Sequence, residues 1–185
     1  MDKDLVVGLG EIGAPILKTV SKSIQTAGYD TDNRLMNKKQ NEKLINYRTI
    51  FAHVCIPFTD KFTDSVLGLV KQHEPMAIVI HSTISPKTTE TIQKKLDIPI
   101  IYSATRGVHK RMVKDLKRYT KFYSVYDWAP KSKWAAKQYE KRMRDSGIKT
   151  KKMSNPLTLE LAKIIVDTSY YGWLITYAQL SNMIA

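Results

Sequence analysis

Three glycines stand within six positions near the start of the chain, directly behind a run of apolar residues. They are Gly8, Gly10 and Gly13, in the stretch LVVGLGEIGAP that covers residues 5–15. Where a strand turns into a helix, the first glycine of such a set permits a tight turn and the second lets the backbone approach a pyrophosphate. The third lets the helix pack closely on the strand, and the first N–H groups of that helix attract phosphate. The spacing therefore predicts a phosphate-binding turn.

An acidic residue follows these glycines at the distance that a dinucleotide site requires. Asp30 stands 22 positions after Gly8 and 17 after Gly13, at the end of a second strand-like segment, and the expected distance is about 20. Its carboxylate can accept hydrogen bonds from the ribose hydroxyls, and its charge repels a 2′-phosphate. The pattern predicts an NAD site and favours NAD over NADP; the alternative is a glycine-rich turn followed by an unrelated aspartate. Glu11 is close to the phosphates, so we expect its side chain to point away.

Nearly all of the net charge of +13 comes from one stretch of the chain. Residues 106–152 contain 16 lysines and arginines against 4 acidic residues. Such a block suits nucleic acid, an anionic membrane surface or a phosphorylated small molecule, and an ordinary solvated surface accounts for it equally well. Its aromatic residues, in KRYTKFYSVYDWAPKSKW at residues 117–134, can stack on bases. In an alternation of strands and helices such aromatics more often belong to the core, so we do not expect nucleic acid as a partner.

The elements that must position these residues follow an alternating pattern. Apolar, strand-like runs occur at residues 5–9, 23–30, 50–56, 76–80, 98–102, 122–126 and 148–153. Helix-like segments separate them, at residues 12–22, within 31–48, and at 60–73, 86–96 and 131–146, with a helical turn before the sixth strand. Ser85 and Pro86 are typical of the N-cap and first position of a helix, and Gly147 of a helix end. The alternation predicts the α/β class with a Rossmann-type, doubly wound, mostly parallel sheet, in one NAD-binding domain over residues 1–153.

The last segment of the chain, residues 154–185, is predicted to form one long helix. Pro156 suits its first turn, and residues 168–185 contain no charged residue. A helix that is apolar on most of its surface must be buried, and a chain of 185 residues leaves little core to cover it. Lys163 and Asp167 interrupt the apolar stretch, which argues against a membrane span. We therefore expect a homodimer through residues 155–185.

Several motifs, taken together, resemble those of one enzyme family. They are GLGEIGAP at residues 8–15, TAGYDTD at 26–32, HVCIPF at 53–58, IHSTISPKTT at 80–89 and ELAKIIVDTSYYGWLITYAQL at 160–180. In this order, and over nearly the whole chain, they resemble the N-terminal half of the UDP-glucose/GDP-mannose dehydrogenase family, within the 6-phosphogluconate dehydrogenase-like superfamily. The resemblance implies that NAD is contacted by Gly8, Gly10, Ile12, Gly13 and Asp30, with Pro57 and Thr83 beside the nicotinamide. For Thr83, a capping or turn residue is the alternative.

The long helix carries the residues that the resemblance connects with catalysis. Lys163 corresponds to a lysine that assists proton transfer or orients water in these enzymes; the alternative is an exposed helix lysine. The family's asparagine four residues further on is Asp167 here. An aspartate one helical turn away pairs with a lysine and makes it a poorer base. Lys163 and Asp167 are therefore catalytic candidates, with the aspartate as a departure from the family.

Two further departures concern the substrate. The family's Ser-Pro-Glu-Arg segment reads SATR at residues 103–106, without the glutamate, and a basic group follows it. We expect an anionic substrate to be bound by Arg106, His109, Lys110 and Arg111. His109 is also a candidate acid–base residue, or else a structural imidazole. The family's thiol nucleophile lies beyond the helix at which this sequence stops. The product is then an aldehyde or ketone, another chain supplies the thiol, or the protein is not a complete enzyme.

Composition sets expectations about cysteine chemistry and compartment. Cys55 is the single cysteine, which excludes an internal disulfide and a cysteine-rich metal site, and we expect no metal. Cys55 precedes Pro57 at a strand end, where a small buried apolar side chain is more usual than a nucleophile. The charged start, MDKD, is unlike a signal peptide, so we expect a cytoplasmic protein.

The sequence is best interpreted as an NAD-dependent oxidoreductase. It would transfer a hydride between NAD and the hydroxyl of an anionic substrate, either a nucleotide sugar or a hydroxy acid. The first alternative is an NAD-binding or sensing protein without catalysis. The second, less favoured, is a nucleic-acid-binding protein that uses the basic block.

Overall fold

The structure, a computed structural model, describes residues 1–184 and contains a sheet of seven strands. The strands are β1 (Asp2–Val7), β2 (Thr26–Tyr29), β3 (Arg48–Val54), β4 (Ala77–Ile80), β5 (Ile100–Tyr102), β6 (Lys121–Val125) and β7 (Thr150–Lys152). The helices are α1 (Gly13–Val20), α2 (Lys38–Lys43), α3 (Phe62–His73), α4 (Thr88–Gln93), α5 (Met112–Arg118), α6 (Ser132–Asp145), α7 (Pro156–Ile164) and α8 (Tyr171–Ile184). Short 3₁₀ turns cover Asn33–Leu35 and His109–Arg111, and a π-helical segment, Ile165–Tyr170, joins α7 to α8.

The order of strands across the sheet is β2-β1-β3-β4-β5-β6-β7. Neighbouring strands run parallel, except that β6 is antiparallel to β5. Every residue of β4 is 0% exposed, so both faces of the sheet are covered. This confirms the predicted α/β class with a Rossmann-type, doubly wound and mostly parallel sheet. The strand order reverses at β1, with β2 on one side and β3 on the other. A ligand site is expected beyond the carboxyl ends of these strands.

The core lies on the two faces of the sheet, because side chains alternate along each strand. Phe51 and Val79 lie on one face in a cluster with residues of α1, α5 and α6. Ala52 and Ile78 lie on the other face in a cluster with residues of α3 and α4. The two clusters hold the strand ends in place, and with them the turns that follow β1, β3 and β4.

One predicted helix start is wrong. The sequence predicts a helix over residues 86–96 with Ser85 as its N-cap, but α4 begins two residues later, and Lys87 at its N-cap has a left-handed φ of 70°. The fully buried carboxylate of Glu160, in α7, accepts hydrogen bonds from the N–H of Lys87 at 2.6 Å and from the N–H and hydroxyl of Thr89 at 2.9 and 2.6 Å. A carboxylate from a distant helix therefore caps α4 instead of the local serine, because it satisfies three donors at once.

The predicted long C-terminal helix is confirmed: it runs without a gap from α7 through the π-helical segment to the end of α8. α7 packs against α4, β5 and β6. In the π-helical segment the hydroxyl of Thr168 donates to the carbonyl oxygen of Ile164 at 2.7 Å. In α8, over residues 171–184, no residue is buried, and Trp173 is 68% exposed. Ala185, the last residue of the predicted helix, lies outside the described residues.

β7 is the last strand of the sheet, and every element that follows it is helical. The division into a domain over residues 1–153 and a C-terminal helix over 154–185 stays a prediction, as does the homodimer through this helix. Over residues 1–184, the structure contains no helix that is both long enough and apolar enough to cross a membrane.

Candidate functional site

The glycine-rich turn lies between β1 and α1, beside the ends of β2 and β3. Gly8 has a left-handed φ of +86°, and its N–H donates to the carbonyl oxygen of Tyr29 at 2.9 Å. A Cβ atom at Gly8 would lie 2.9 Å from the carbonyl carbon and oxygen of Cys55, and one at Gly13 would lie 1.7 Å from the carbonyl oxygen of Gly8. Strand, turn and helix therefore approach each other at distances that only glycine allows.

The N-terminus of α1 is open to a ligand. Its N-cap residue is Ile12, whose side chain makes no capping hydrogen bond. In the first turn of α1 the N–H of Ala14 donates to the carbonyl oxygen of Gly10 at 3.0 Å, and Pro15 has no N–H. The donors left for a ligand are therefore those of the turn that leads into the helix, at its positive dipole end. Gly10, beside them, is exposed, and a Cβ built on it would meet no atom within 4 Å. The turn thus offers N–H donors and free space on the same side, which suits an anion.

Asp30 lies at the end of β2 and faces this turn. Its carboxylate accepts a hydrogen bond from the N–H of Leu9 at 2.6 Å and from that of Asp32 at 2.9 Å. These N–H groups, Leu9 first, hold the pKa of Asp30 below its usual value, so it is ionised at neutral pH. The hydroxyl of Thr31 donates a third, longer hydrogen bond at 3.5 Å. A carboxylate has about four lone-pair sites, so Asp30 retains acceptor capacity for a ribose hydroxyl.

These features line one cleft of about 550 Å³, which we name the glycine cleft. Six of the residues predicted to contact NAD line it: Gly8, Gly10, Ile12, Asp30, Pro57 and Thr83. Gly13, the seventh, is buried beneath the turn. Cys55 also lines the glycine cleft, and burial raises the pKa of its thiol to about 12. A thiol held neutral in this way is a poor nucleophile, as expected of a small apolar side chain.

The structure separates the four basic residues that the sequence predicts as a substrate site. His109 forms an ion pair with Glu11 of the glycine-rich turn, so Glu11 is directed to a protein partner. The Nε of Arg111 lies 3.0 Å from a carboxylate oxygen of Asp115. Lys110 is exposed in the same 3₁₀ turn. Of the four, Arg106 alone lies in the wall of a pocket among those that the structure describes.

That pocket, of about 190 Å³, lies between the β5–α5 loop, β6 and the C-terminal helices, and we name it the lysine pocket. Its wall contains two of the three predicted catalytic residues, Lys163 and Asp167. The Nζ of Lys163 lies 2.6 Å from a carboxylate oxygen of Asp167, one helical turn away. The ion pair expected from their spacing is therefore formed. The structure brings Lys163, Asp167 and Arg106 together, and leaves His109 outside this pocket.

Lys121 is a residue of the lysine pocket that the sequence analysis missed. It begins β6 and is only 6% exposed. Its ammonium donates hydrogen bonds to the carbonyl oxygens of Ser103 and Ala104, at 2.8 and 3.2 Å, and to the hydroxyl of Thr105 at 3.1 Å. Burial lowers the pKa of Lys121 to about 7. The alternation in KFYSV, which puts Lys121 on the same face as the buried Tyr123, is the signal that identifies it.

Neither the protein-family models nor the curated protein sequences match this chain. Among solved structures, it is similar to a UDP-D-ManNAc dehydrogenase from Pyrococcus horikoshii, with 20% identity over 90% of this chain and 50% of that one, at a TM-score of 0.71. It is also similar to the UDP-N-acetyl-mannosamine dehydrogenase Cap5O from Staphylococcus aureus, with 15% identity over 90% and 51%, at a TM-score of 0.63. The chain spans about half the length of these two enzymes.

A third similar structure is a prephenate dehydrogenase from Aquifex aeolicus in complex with hydroxyphenyl propionate and NAD⁺. It shows 15% identity over 100% of this chain and 70% of that one, at a TM-score of 0.62. These likenesses define the class: the chain has the Rossmann-type fold of dehydrogenases. Within this class, the resemblance to sugar-nucleotide dehydrogenases that the sequence motifs indicate is confirmed at the level of the fold.

Proposed function

We propose that this chain binds NAD in the glycine cleft and supports hydride transfer between NAD and an alcohol of an anionic substrate. The observation that carries the proposal is the convergence of six predicted contact residues on one cleft, beside a helix N-terminus that no side chain caps. Three structures with this fold are dehydrogenases, and one of them holds NAD⁺.

Each part of the glycine cleft has a role in this proposal. The N-terminus of α1 and the free face of Gly10 would receive the pyrophosphate, because no side chain caps the helix and a Cβ at Gly10 would meet no atom within 4 Å. Asp30 accepts hydrogen bonds from the adenosine ribose. Pro57 and Thr83, which also line the glycine cleft, would flank the nicotinamide. Bound there, NAD supplies the acceptor or donor of a hydride.

The proton that accompanies the hydride is handled in the lysine pocket. Lys163 is the proposed group, and its Nζ lies 2.6 Å from a carboxylate oxygen of Asp167. A charged lysine donates a hydrogen bond to an oxygen that gains negative charge, so it suits reduction of a carbonyl better than removal of an alcohol proton. His109, held by Glu11 next to the glycine-rich turn, is the second proposed proton carrier.

A second candidate function is NAD binding without catalysis. The ion pair between Lys163 and Asp167 supports it, because a lysine engaged in this way is a poorer base. Cys55, the single cysteine of this sequence, has a thiol whose pKa is raised by burial, so it does not supply a nucleophile for a second oxidation step. Turnover of NAD with a panel of hydroxy acids and nucleotide sugars distinguishes the two functions.

The proposal includes a homodimer through residues 155–185. Its support is the exposure of large apolar side chains on α8, such as Trp173 at 68% and Ile175 at 60%. An isologous contact between two copies of this helix would cover them.

The cofactor assignment is tested with Asp30→Asn, which keeps one acceptor oxygen and removes the charge. Calorimetric titration of the wild type should show NAD bound at least about tenfold more tightly than NADP, a difference of about 1.4 kcal/mol. Asp30→Asn should lose most of this preference, because the repulsion of the 2′-phosphate is gone. Asp97→Asn, an exposed aspartate outside the cleft, is the control and should behave as wild type. Equal affinity of the wild type for both dinucleotides, or for neither, would contradict the assignment.

A further inference from the structure

The lysine pocket contains two cationic groups, Arg106 and Lys121, that have no ion-pair partner in the part of the chain that the structure describes. The guanidinium of Arg106 lies 3.3 Å from the hydroxyl of Tyr171 and 5.2 Å from the centre of the Tyr119 ring. The ammonium of Lys121 is bonded to three uncharged oxygens. Among residues 1–184, neither of these two cations forms an ion pair.

The two carboxylates in the wall of the pocket are already engaged. Asp167 is paired with Lys163 at 2.6 Å. Asp115 accepts hydrogen bonds at its Oδ2 from the Nε of Arg111 and the N–H of Val108, both at 3.0 Å, whereas its buried Oδ1 has no hydrogen-bond partner among the described residues. A buried charge is costly unless an opposite charge compensates it. An anion that entered the pocket from outside would remove this cost.

We propose that the lysine pocket binds a carboxylate carried on an apolar body, and that Lys121 determines this specificity. The inference deepens the proposed function: it rests on this pocket being the substrate site, and it selects a hydroxy acid rather than a nucleotide sugar. The pocket has a volume of about 190 Å³, which is that of about six water molecules at about 30 Å³ each. This volume suits a small hydroxy acid rather than a nucleotide sugar. The apolar part of the wall, which suits the apolar body, is formed by Leu116, Phe122, Leu159, Ala162 and Val166.

The two cations act differently on the carboxylate. Arg106 is exposed and offers a planar guanidinium, which forms two parallel hydrogen bonds to a carboxylate. Lys121 already donates three hydrogen bonds to residues 103–105, so it attracts the anion through its charge. The same three bonds hold the loop that leads to Arg106. Lys121 is therefore a positioning residue as well as a source of charge, and the test must separate the two roles.

The charge role predicts a pH dependence that a purely structural role does not. Three ionisable groups interact electrostatically with Lys121. They are Cys55, which follows β3, His81, which follows β4, and Lys163 in α7. Because the pKa of Lys121 in the free pocket is about 7, the ammonium is largely charged at pH 6 and largely neutral at pH 8. A bound carboxylate favours the charged form, so binding at pH 8 takes up a proton and is weaker than at pH 6.

The experiment uses benzoate, with benzamide as its uncharged equivalent of the same shape. Both are titrated by calorimetry into the full chain without NAD, at pH 6 and pH 8, in two buffers of different ionisation enthalpy. We expect benzoate to bind several-fold more tightly at pH 6, with proton uptake at pH 8, and benzamide to bind at neither pH. Equal binding of benzamide, or benzoate affinity without pH dependence, would overturn the proposal.

Variants at Lys121 separate charge from structure. Lys121→Met, similar in length and without charge, should lose benzoate binding, whereas Lys121→Arg, charged at both pH values, should bind benzoate without pH dependence. Lys133→Met removes an exposed lysine of α6 and should change nothing. If Lys121→Met does not fold, Arg106→Met, at an exposed position, should lose benzoate binding in its place. Retention of wild-type binding and pH dependence in Lys121→Met would refute the assignment.

The proposed function has a separate readout in the same proteins. NAD affinity is measured on the wild type and on both Lys121 variants, and we expect it to be unchanged, because Lys121 does not line the glycine cleft. Loss of benzoate binding with NAD binding intact supports the carboxylate site. Failure of the wild type to bind NAD contradicts the proposed function, whatever the result with benzoate.

Discussion

Replacement of Gly13 by alanine measures how much the close packing of α1 on the turn contributes to stability. The added Cβ would lie 1.7 Å from the carbonyl oxygen of Gly8, 2.8 Å from its carbonyl carbon and 3.2 Å from the Cβ of Cys55. Two of these are backbone atoms, which cannot rotate away, so the turn or the helix must move. Overpacking costs about 1–3 kcal/mol, and contact with backbone places Gly13→Ala at the upper end of this range. A loss of about 3 kcal/mol lowers Tm by roughly 6–12 °C.

Gly10→Ala is the matched variant, because it adds the same methyl group in open space. No atom lies within 4 Å of its Cβ, so the free energy of unfolding should stay within about 0.5 kcal/mol of wild type. The methyl group occupies the face that the pyrophosphate approaches, and an overpacked contact there costs about 1.4 kcal/mol or more, which is tenfold in Kd. The Gly13→Ala variant thus tests the packing of the fold, and the Gly10→Ala variant tests the binding of the cofactor.

Thermal and urea denaturation without ligand measure stability, and calorimetric titration with NAD measures binding. Gly68→Ala, in open space on α3 outside the cleft, is the control. It should raise stability slightly and leave NAD affinity unchanged. A Gly13→Ala protein as stable as wild type would refute the packing argument. A Gly10→Ala protein that binds NAD as wild type does would refute the placement of the pyrophosphate.

Two further predictions concern assembly and pH. Leu174, 44% exposed on α8, should lie within the proposed dimer contact. Leu174→Asp would bury an unpaired charge there at a cost of several kcal/mol, so this variant should sediment as a monomer where the wild type is a dimer. A monomeric wild type would disprove the contact. Burial, with Lys121 second, lowers the pKa of His81 well below its usual value. The unfolded chain therefore binds a proton near pH 6.5 that the folded chain does not, and stability is lost as pH falls below 6.5, by about 1.4 kcal/mol per pH unit from this residue. In urea denaturation at pH 7, 6 and 5, His81→Gln should lose less stability than the wild type, and an equal loss would show that other groups cause it.

Short-range patterns account for the parts of the fold and site that the sequence predicts. The turn that holds Gly8, Gly10 and Gly13 depends on strands and a helix within the first 30 residues, so neighbours in the chain determine it. The alternation of apolar runs is equally local, and it predicts the parallel sheet. The positions of Asp30 and Pro57 follow, because both end strands of this sheet and meet at the same edge.

Contacts between distant elements account for what the sequence does not predict. The basic residues after Arg106 resemble one cluster in the sequence, but Glu11 and Asp115 pair with two of them, and His109, Lys110 and Arg111 do not line the lysine pocket. In the sequence, Lys121 is one lysine of a basic block. In the structure, β6 places its ammonium within hydrogen-bond distance of the loop at residues 103–105. The secondary-structure propensity of a residue carries no information about hydrogen-bond or ion-pair partners that are far away in the chain.

Glu160 joins the C-terminal helix to the edge of the glycine cleft. Its carboxylate holds the start of α4 through donors of Lys87 and Thr89, and Lys87 follows Thr83 of the cleft wall by four residues. Hydrogen bonds to a charged group are worth about 1.5–3 kcal/mol each, so α7 cannot shift without disturbing the loop from Thr83 to Lys87. Whatever fixes the position of the C-terminal helix, including a second copy of the chain, thereby acts on the cofactor wall. Coupling of this kind is reciprocal: in the proposed dimer, a dinucleotide that tightens the wall would strengthen assembly by the same factor. The dissociation constants of the proposed dimer and of the proposed cofactor site would then be linked.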